Sequence, residues 1–260
     1  KSLFMCHMAS SVLLQGRNVL YITCEMAEEK IAERIDANLL NVNIRDIAEL
    51  PEVLYKSKVT EISRKTQGKL IIKEYPTASA HAGHFKALLS DLSLKKGFKP
   101  DIIFIDYLNI CASARYKGAI VNSYTYVKAI AEELRGLAVE HNLPIVSATQ
   151  TTRSGFGSSD PDLTDTSESF GLPATADLMF ALISTEELEQ QGRLMVKQLK
   201  NRYNDPTSSR KFMVGIDRSK MRLYDVAEDA NVINVEEDED TNPQFTETKN
   251  RLSKFAEWNV

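Results

Sequence analysis

Short continuous apolar runs alternate along the first two thirds of the chain with segments whose apolar positions recur every three or four residues. The runs NVLYIT (18–23), KLIIKEY (69–75), DIIFIDY (101–107), PIVSATQ (144–150) and ADLMFALI (176–183) are short and rich in β-branched residues. That pattern predicts strands buried on both faces. Between the first two, Ile31, Ile35 and Leu39 repeat at intervals of four across 26–41, with Glu28 and Glu29 in the first turn, where the helix dipole favours acids. Ile120, Tyr124, Val127, Leu134 and Leu137 form a similar stripe over 119–142. Such alternation predicts an α/β fold, a parallel sheet with crossover helices. After residue 190 the pattern becomes GRLMVKQLKNRY and RKFMVGIDRSKMRLYDV, separated by the turn-rich NDPTSS, which predicts antiparallel hairpins at the C-terminal end of the sheet.

From Ala227 the composition shifts. Glu228, Asp229 and the run Glu236 to Asp240 supply seven acids without a base, the signature of a mobile acidic linker. Leu252, Phe255 and Trp258 then recur at spacing three, consistent with a short amphipathic helix. The expected organisation is therefore one domain over residues 1–226 and a tail over 227–260.

The totals narrow the classes. At 260 residues, 43% hydrophobic and 26% charged, the chain suits one large α/β domain with a tail. No apolar run approaches the roughly 20 residues that span a bilayer, and no secretory leader precedes the pattern. A soluble, cytoplasmic protein with no membrane partner is expected, in the host cell's cytoplasm if a phage encodes it. Cys6, Cys24 and Cys111 are odd in number and far apart, as reduced thiols are. His81 and His84 lie three apart in an expected helix, without further ligands to suggest a metal. A net charge of −4 argues against coating nucleic acid through bulk positive potential. It leaves room for a protein that grips one strand with a few loops. The chain opens on Lys1 in the middle of a pattern, so a longer parent chain is expected.

The chemistry gathers at strand ends. An apolar strand finishing in Asp106 places a carboxylate where open α/β sheets bind ligands, as a magnesium-holding acid in a nucleoside triphosphatase would be. A strand-end Asp can equally cap a turn. Lys1-Ser2 followed directly by a helix is how a phosphate loop finishes, although the glycines that should precede Lys1 are absent from the sequence. Glu25 follows the first strand, where a carboxylate can orient and deprotonate water or simply begin a helix. Gln150 ends a later strand as a neutral amide able to feel a phosphate, or only to bond the backbone. After Asp106, Arg115, Tyr116 and Lys117 offer cations and one aromatic ring to a nucleic-acid backbone and base.

Lys1-Ser2, Glu25, Asp106, Gln150, DTSESFGLPATAD and KNR, in that order, resemble the RecA-like P-loop NTPase core of the DnaB-family replicative helicases over roughly residues 1–226, most of all its T-even bacteriophage members. The resemblance implies a homo-hexameric ring that hydrolyses ATP (or GTP) with Mg2+ between subunits and moves along single-stranded DNA, with a primase and a helicase loader as partners. Carried over by position, Lys1 matches the phosphate-loop lysine, Ser2 and Asp106 the magnesium ligands, Glu25 the catalytic base and Gln150 the γ-phosphate sensor. Lys200 and Arg202 match the late lysine and arginine finger that act on the neighbouring subunit's nucleotide. The family's DNA contacts fall on Arg153, Glu168, Phe170 and Gly171. Ser167 stands where many members carry arginine and Phe170 where glycine is usual, which shifts DNA grip towards Arg115 and Lys117. The competing readings are a RecA-like recombinase that forms filaments on DNA, and an assembly module without catalysis.

Overall fold

The computed structural model describes residues 1–116, 121–151, 163, 171–204 and 210–226, without the side chain of residue 65. Lys117, Arg153, Glu168, Phe170 and the acidic tail lie outside the described residues.

Helix α1 (Ser2–Leu14) leads into strand β1 (Val19–Thr23). Helices α2 (Glu28–Leu40), α3 (Ile44–Ile47) and α4 (Glu52–Thr66) carry the chain to β2 (Leu70–Glu74). Helix α5 (Ala82–Lys96) then crosses to β3 (Ile102–Asp106), and α6 (Ser123–His141) to β4 (Ile145–Ser147). The four strands form a parallel sheet in the order β2-β1-β3-β4. Parallel neighbours cannot be joined by tight turns, so each connection carries at least one helix.

Successive side chains on a strand face opposite ways, and both faces of the central pair are used. Val19, Tyr21 and Phe104 pack with Met5, Cys6, Ala9 and Leu13 of α1 and Ile31 and Ile35 of α2. Leu20, Ile22, Ile103 and Ile105 pack the other way, against Phe85, Leu89 and Leu92 of α5 and Ile130, Leu134 and Leu137 of α6. β1 and β3 are thus the middle of a helix–sheet–helix sandwich, which is why their sequences read as unbroken apolar runs.

The rest of the described chain, α7 (Gly171–Thr175), β5 (Leu178–Ile183), α8 (Glu186–Gln190), β6 (Arg193–Asn201), β7 (Lys211–Asp217) and β8 (Arg222–Asp225), builds a separate antiparallel sheet in the order β5-β6-β7-β8. The hairpins expected after residue 190 are present. The run ADLMFALI differs from its expectation. It pairs antiparallel with β6, with a register shift between Met179 and Phe180, and Leu178 and Phe180 remain 51% and 41% exposed. The connection from β5 to β6 holds only the five-residue α8, too short for a crossover, and the strand is covered on one face. Gly215 of β7 lies under the Tyr224 ring, which an added Cβ would meet at 2.2 Å, so a side chain at this position would have to displace the ring.

Polar contacts tie the last hairpin to the first helices. Asn38 donates through Nδ2 to Met221 O at 2.5 Å, the Leu223 N–H points to His7 Nδ1 at 3.4 Å, and the Ile44 N–H donates to Ser219 O at 2.8 Å. His81 and His84 serve as the N-terminal capping box of α5.

Candidate active site

From β1 the chain moves to β2 on one side and then returns to place β3 on the other. The strand order therefore reverses between β1 and β3, and in open α/β sheets ligands bind in the crevice outside the carboxyl ends at such a point. Thr23 stands opposite Asp106 at the ends of the two strands, and the Cys24 N–H donates to Asp106 O at 2.8 Å. Glu25 follows immediately and is exposed.

Asp106 is fully buried. The Tyr21 hydroxyl donates to its Oδ2 at 3.0 Å, and Tyr21 is itself fixed by stacking on Phe104, 5.8 Å between centroids with 16° between planes. Burial first, then the neighbouring Cys6 and Asp106, push the Tyr21 hydroxyl far above its ordinary range, so it stays a proton donor. The other oxygen, Oδ1, is buried without a hydrogen-bond partner. A desolvated carboxylate oxygen is costly unless something compensates it, and a hard cation with oxygen ligands is suited to do so.

Tyr107 joins the remaining groups. The Lys1 ammonium lies 3.5 Å from the centre of its ring, and Gln150 donates through Nε2 to its hydroxyl at 3.3 Å. Burial, followed by the charges of Glu25 and Asp106, raises the phenol above its ordinary value. Gln150 lies past the end of β4, in a segment held by the Leu108 N–H on Ala148 O at 3.2 Å and by the Thr149 hydroxyl on Asn109 Oδ1 at 2.8 Å. Ser2 is the first residue of α1, beside Lys1, at a helix start whose leading N–H groups are free of intrahelical acceptors and favour anions. The structure thus brings Lys1, Ser2, Asp106, Glu25 and Gln150 to one edge of the parallel sheet.

Lys200 and Arg202 lie at the end of β6 and just beyond it, and both turn towards the segment 173–177. Lys200 Nζ donates to Pro173 O at 2.5 Å, and Arg202 donates through Nη2 to Ala174 O at 2.9 Å while Nη1 pairs with Asp177 Oδ1 at 3.0 Å. Burial and the adjacent Arg202 charge lower the Lys200 ammonium from its ordinary value.

Of the expected nucleic-acid contacts, Arg115 is 53% exposed and its guanidinium pairs with Glu132 of α6. Its loop is held from beneath by Glu133, which accepts from the Ser113 hydroxyl at 2.6 Å and from the Ala114 N–H at 2.8 Å. Gly171 is buried at the start of α7, where an added Cβ would meet the Lys128 side chain at 2.9 Å. Sequence reasoning passed over Tyr21, Tyr107, Arg135 and Asp177. A lone tyrosine inside an aliphatic strand and a second one directly after Asp106 were the available signals for the first two.

Comparison with known proteins bears on the family and the fold. Residues 1–218 match the family model of the DnaB-like helicase C terminal domain. A DnaB-like replicative helicase of Enterobacteria phage T4 is 46% identical over 240 residues, covering 91% of this chain and 50% of that protein. The chain spans about half the length of the curated relatives it matches. Among solved structures, a DnaB-like replicative helicase described with its primase interactions superposes with a TM-score of 0.71 at 18% identity, covering 86% of this chain and 54% of that one. An ATPase domain superposes with a TM-score of 0.72, also at 18% identity, covering 87% of this chain and 81% of that one. At that identity the likeness concerns the fold alone, which is RecA-like.

Proposed function

The chain belongs to the DnaB-like helicase C terminal domain family, and from that premise we propose that it is the ATP-hydrolysing motor of a replicative DNA helicase. In this reading subunits assemble into a hexameric ring, each nucleotide lies between two of them, and hydrolysis drives the ring along single-stranded DNA. The observation that carries it is the meeting of a buried strand-end carboxylate, Asp106, with Lys1 and Gln150 around Tyr107 at the switch point of the sheet. The recombinase reading is not favoured, because the matched family is one of helicases.

The side chains divide the work. Lys1 exchanges the Tyr107 ring for the terminal phosphates of ATP, a stronger partner for an ammonium. Glu25, exposed beside the buried acid, takes the proton of the attacking water. Gln150 feels the γ-phosphate and passes its state through Tyr107 and the residues after β4. Mg2+ fits the Ser2 hydroxyl and the unpartnered Asp106 Oδ1, and when bound it would neutralise charge on the phosphate oxygens. Lys200 and Arg202 act on the nucleotide of the neighbouring copy, with Arg202 as the arginine finger. Arg115, Lys117, Arg153, Glu168, Phe170 and Gly171 contribute to the DNA path. A primase and a loader are the expected partners, and the cytoplasm holding the replicating DNA is the expected location. No described helix is long and apolar enough to cross a membrane.

DNA-stimulated ATPase activity tests the assignment. Glu25→Gln is expected to bind nucleotide and single-stranded DNA normally while turnover falls by roughly 10²- to 10⁴-fold, the usual worth of a general base. Unchanged hydrolysis would remove Glu25 from that role.

A further inference from the structure

Arg202 is held by its own chain at three points. Its Nη1 meets Asp177 Oδ1 at 3.0 Å, its Nη2 donates to Ala174 O at 2.9 Å, and its backbone N–H donates to Asp177 O at 2.9 Å. Asp177 is fixed in turn by Arg135 of α6, whose Nη1 donates to the same Oδ1 at 2.6 Å and to Thr175 O at 3.0 Å. One residue therefore holds Arg202 twice, its carbonyl oxygen on the backbone and its carboxylate on the side chain, and a second guanidinium holds that carboxylate in place. Burial opposes the Asp177 charge, but the hydrogen bond and charge of Arg135, with the charge of Arg202, outweigh it and keep the carboxyl below its ordinary range. The anchor is ionised at neutral pH.

A guanidinium is a rigid planar fork with five N–H donors. Fixing Nη1 and Nη2 on two acceptors sets the plane of the group and the direction of the donors that remain. An arginine that must act on a phosphate held by another subunit gains most when that direction is set before the phosphate arrives. Resting on the proposed motor function, we infer that Asp177, secured by Arg135, is the positioning residue for Arg202.

The test uses Asp177→Asn, which keeps size and one acceptor oxygen and removes the charge. DNA-stimulated kcat is expected to fall about 10- to 100-fold, the cost of misplacing a catalytic group, with KM for ATP nearly unchanged. Because the defect lies in the finger, mixing Asp177→Asn with Glu25→Gln subunits should restore activity, and adding Asp177→Asn to Arg202→Ala should cost nothing further. Arg135→Gln should show the same pattern with a smaller loss, which keeps the inference testable if Asp177→Asn lowers the yield of folded protein. A kcat within twofold of the parent protein, a loss that Glu25→Gln subunits do not rescue, or additivity with Arg202→Ala would each overturn it. Those outcomes leave the motor reading standing as long as Arg202→Ala is itself rescued by Glu25→Gln. If that control fails, the shared-site reading falls and the role of Asp177 falls with it.

Discussion

Tyr107 connects residues whose roles in the proposed mechanism differ: an ammonium on its ring, an amide on its hydroxyl and two carboxylates whose charges add to burial in raising its pKa. Tyr107→Phe keeps the ring and removes only the acceptor of Gln150. A net hydrogen bond of about 1 kcal/mol corresponds to a rate change of several-fold. Single-turnover kinetics should show kcat for DNA-stimulated hydrolysis reduced by about that factor, with KM for ATP unaltered. A rise in KM at constant kcat would instead place the hydroxyl in nucleotide binding. Arg115 invites a second experiment, since its partner Glu132 competes with any phosphate for the guanidinium. Exposed pairs are weak, worth about 0.2–1 kcal/mol, so Glu132→Gln should tighten single-stranded DNA binding by up to about fivefold at low salt. Arg115→Ala should weaken it and reduce the slope of log K against log salt by about 0.7. Salt titrations by fluorescence anisotropy separate the two effects.

At the scale of elements, legibility followed burial. β1 and β3 announced themselves because both faces are covered, which makes an unbroken apolar run. β5 carries a similar run with only one face covered, and composition does not distinguish the two cases. Helix α4 was passed over, because Val53 and Leu54 stand 82% and 45% exposed and blur the contrast with the half-buried Tyr55 and Ile62. β4 stops at Ser147, which leaves Gln150 on a connecting segment instead of the strand end that its apolar run suggested. The strand-end acid, the lysine and the amide were readable from the sequence, whereas the contacts that orient them join residues far apart in the chain, as Tyr21 does to Asp106.

The tie between β8 and the first helices has its own pH dependence. His7 Nδ1 faces the Asn38 amide at 3.0 Å and the Leu223 N–H at 3.4 Å, an arrangement suited to a neutral ring with that nitrogen as acceptor. Burial, then the charge of Arg222, lowers its pKa below the ordinary 6.5. Folding therefore favours the neutral form. The stabilisation is complete above pH 6.5 and is lost as pH falls through the lowered value. Urea midpoints measured between pH 7.5 and 5 should drop more in the parent protein than in His7→Asn, which offers an acceptor without a titrating ring. Parallel curves would exclude His7 as the source.

At the largest scale, the proposed function makes assembly a requirement. The acids, the ammonium and the amide lie at the carboxyl edge of the parallel sheet, while Lys200 and Arg202 belong to the antiparallel sheet and contact residues 173–177 of their own chain. In the proposed function a nucleotide at the sheet edge takes its guanidinium from a second copy, so catalytic competence would belong to the assembled ring. Specific ATPase activity should consequently rise faster than linearly with protein concentration and level off where light scattering reports complete assembly. On that same reading the net charge of −4 adds a constraint, because any grip on DNA would have to come from a few local cations per subunit. Activity strictly proportional to concentration, persisting where scattering detects only single chains, would mean that one chain holds the complete site. Single-stranded DNA should shift the activation curve to lower protein concentration, because a strand that threads several subunits holds them together and raises their effective concentration.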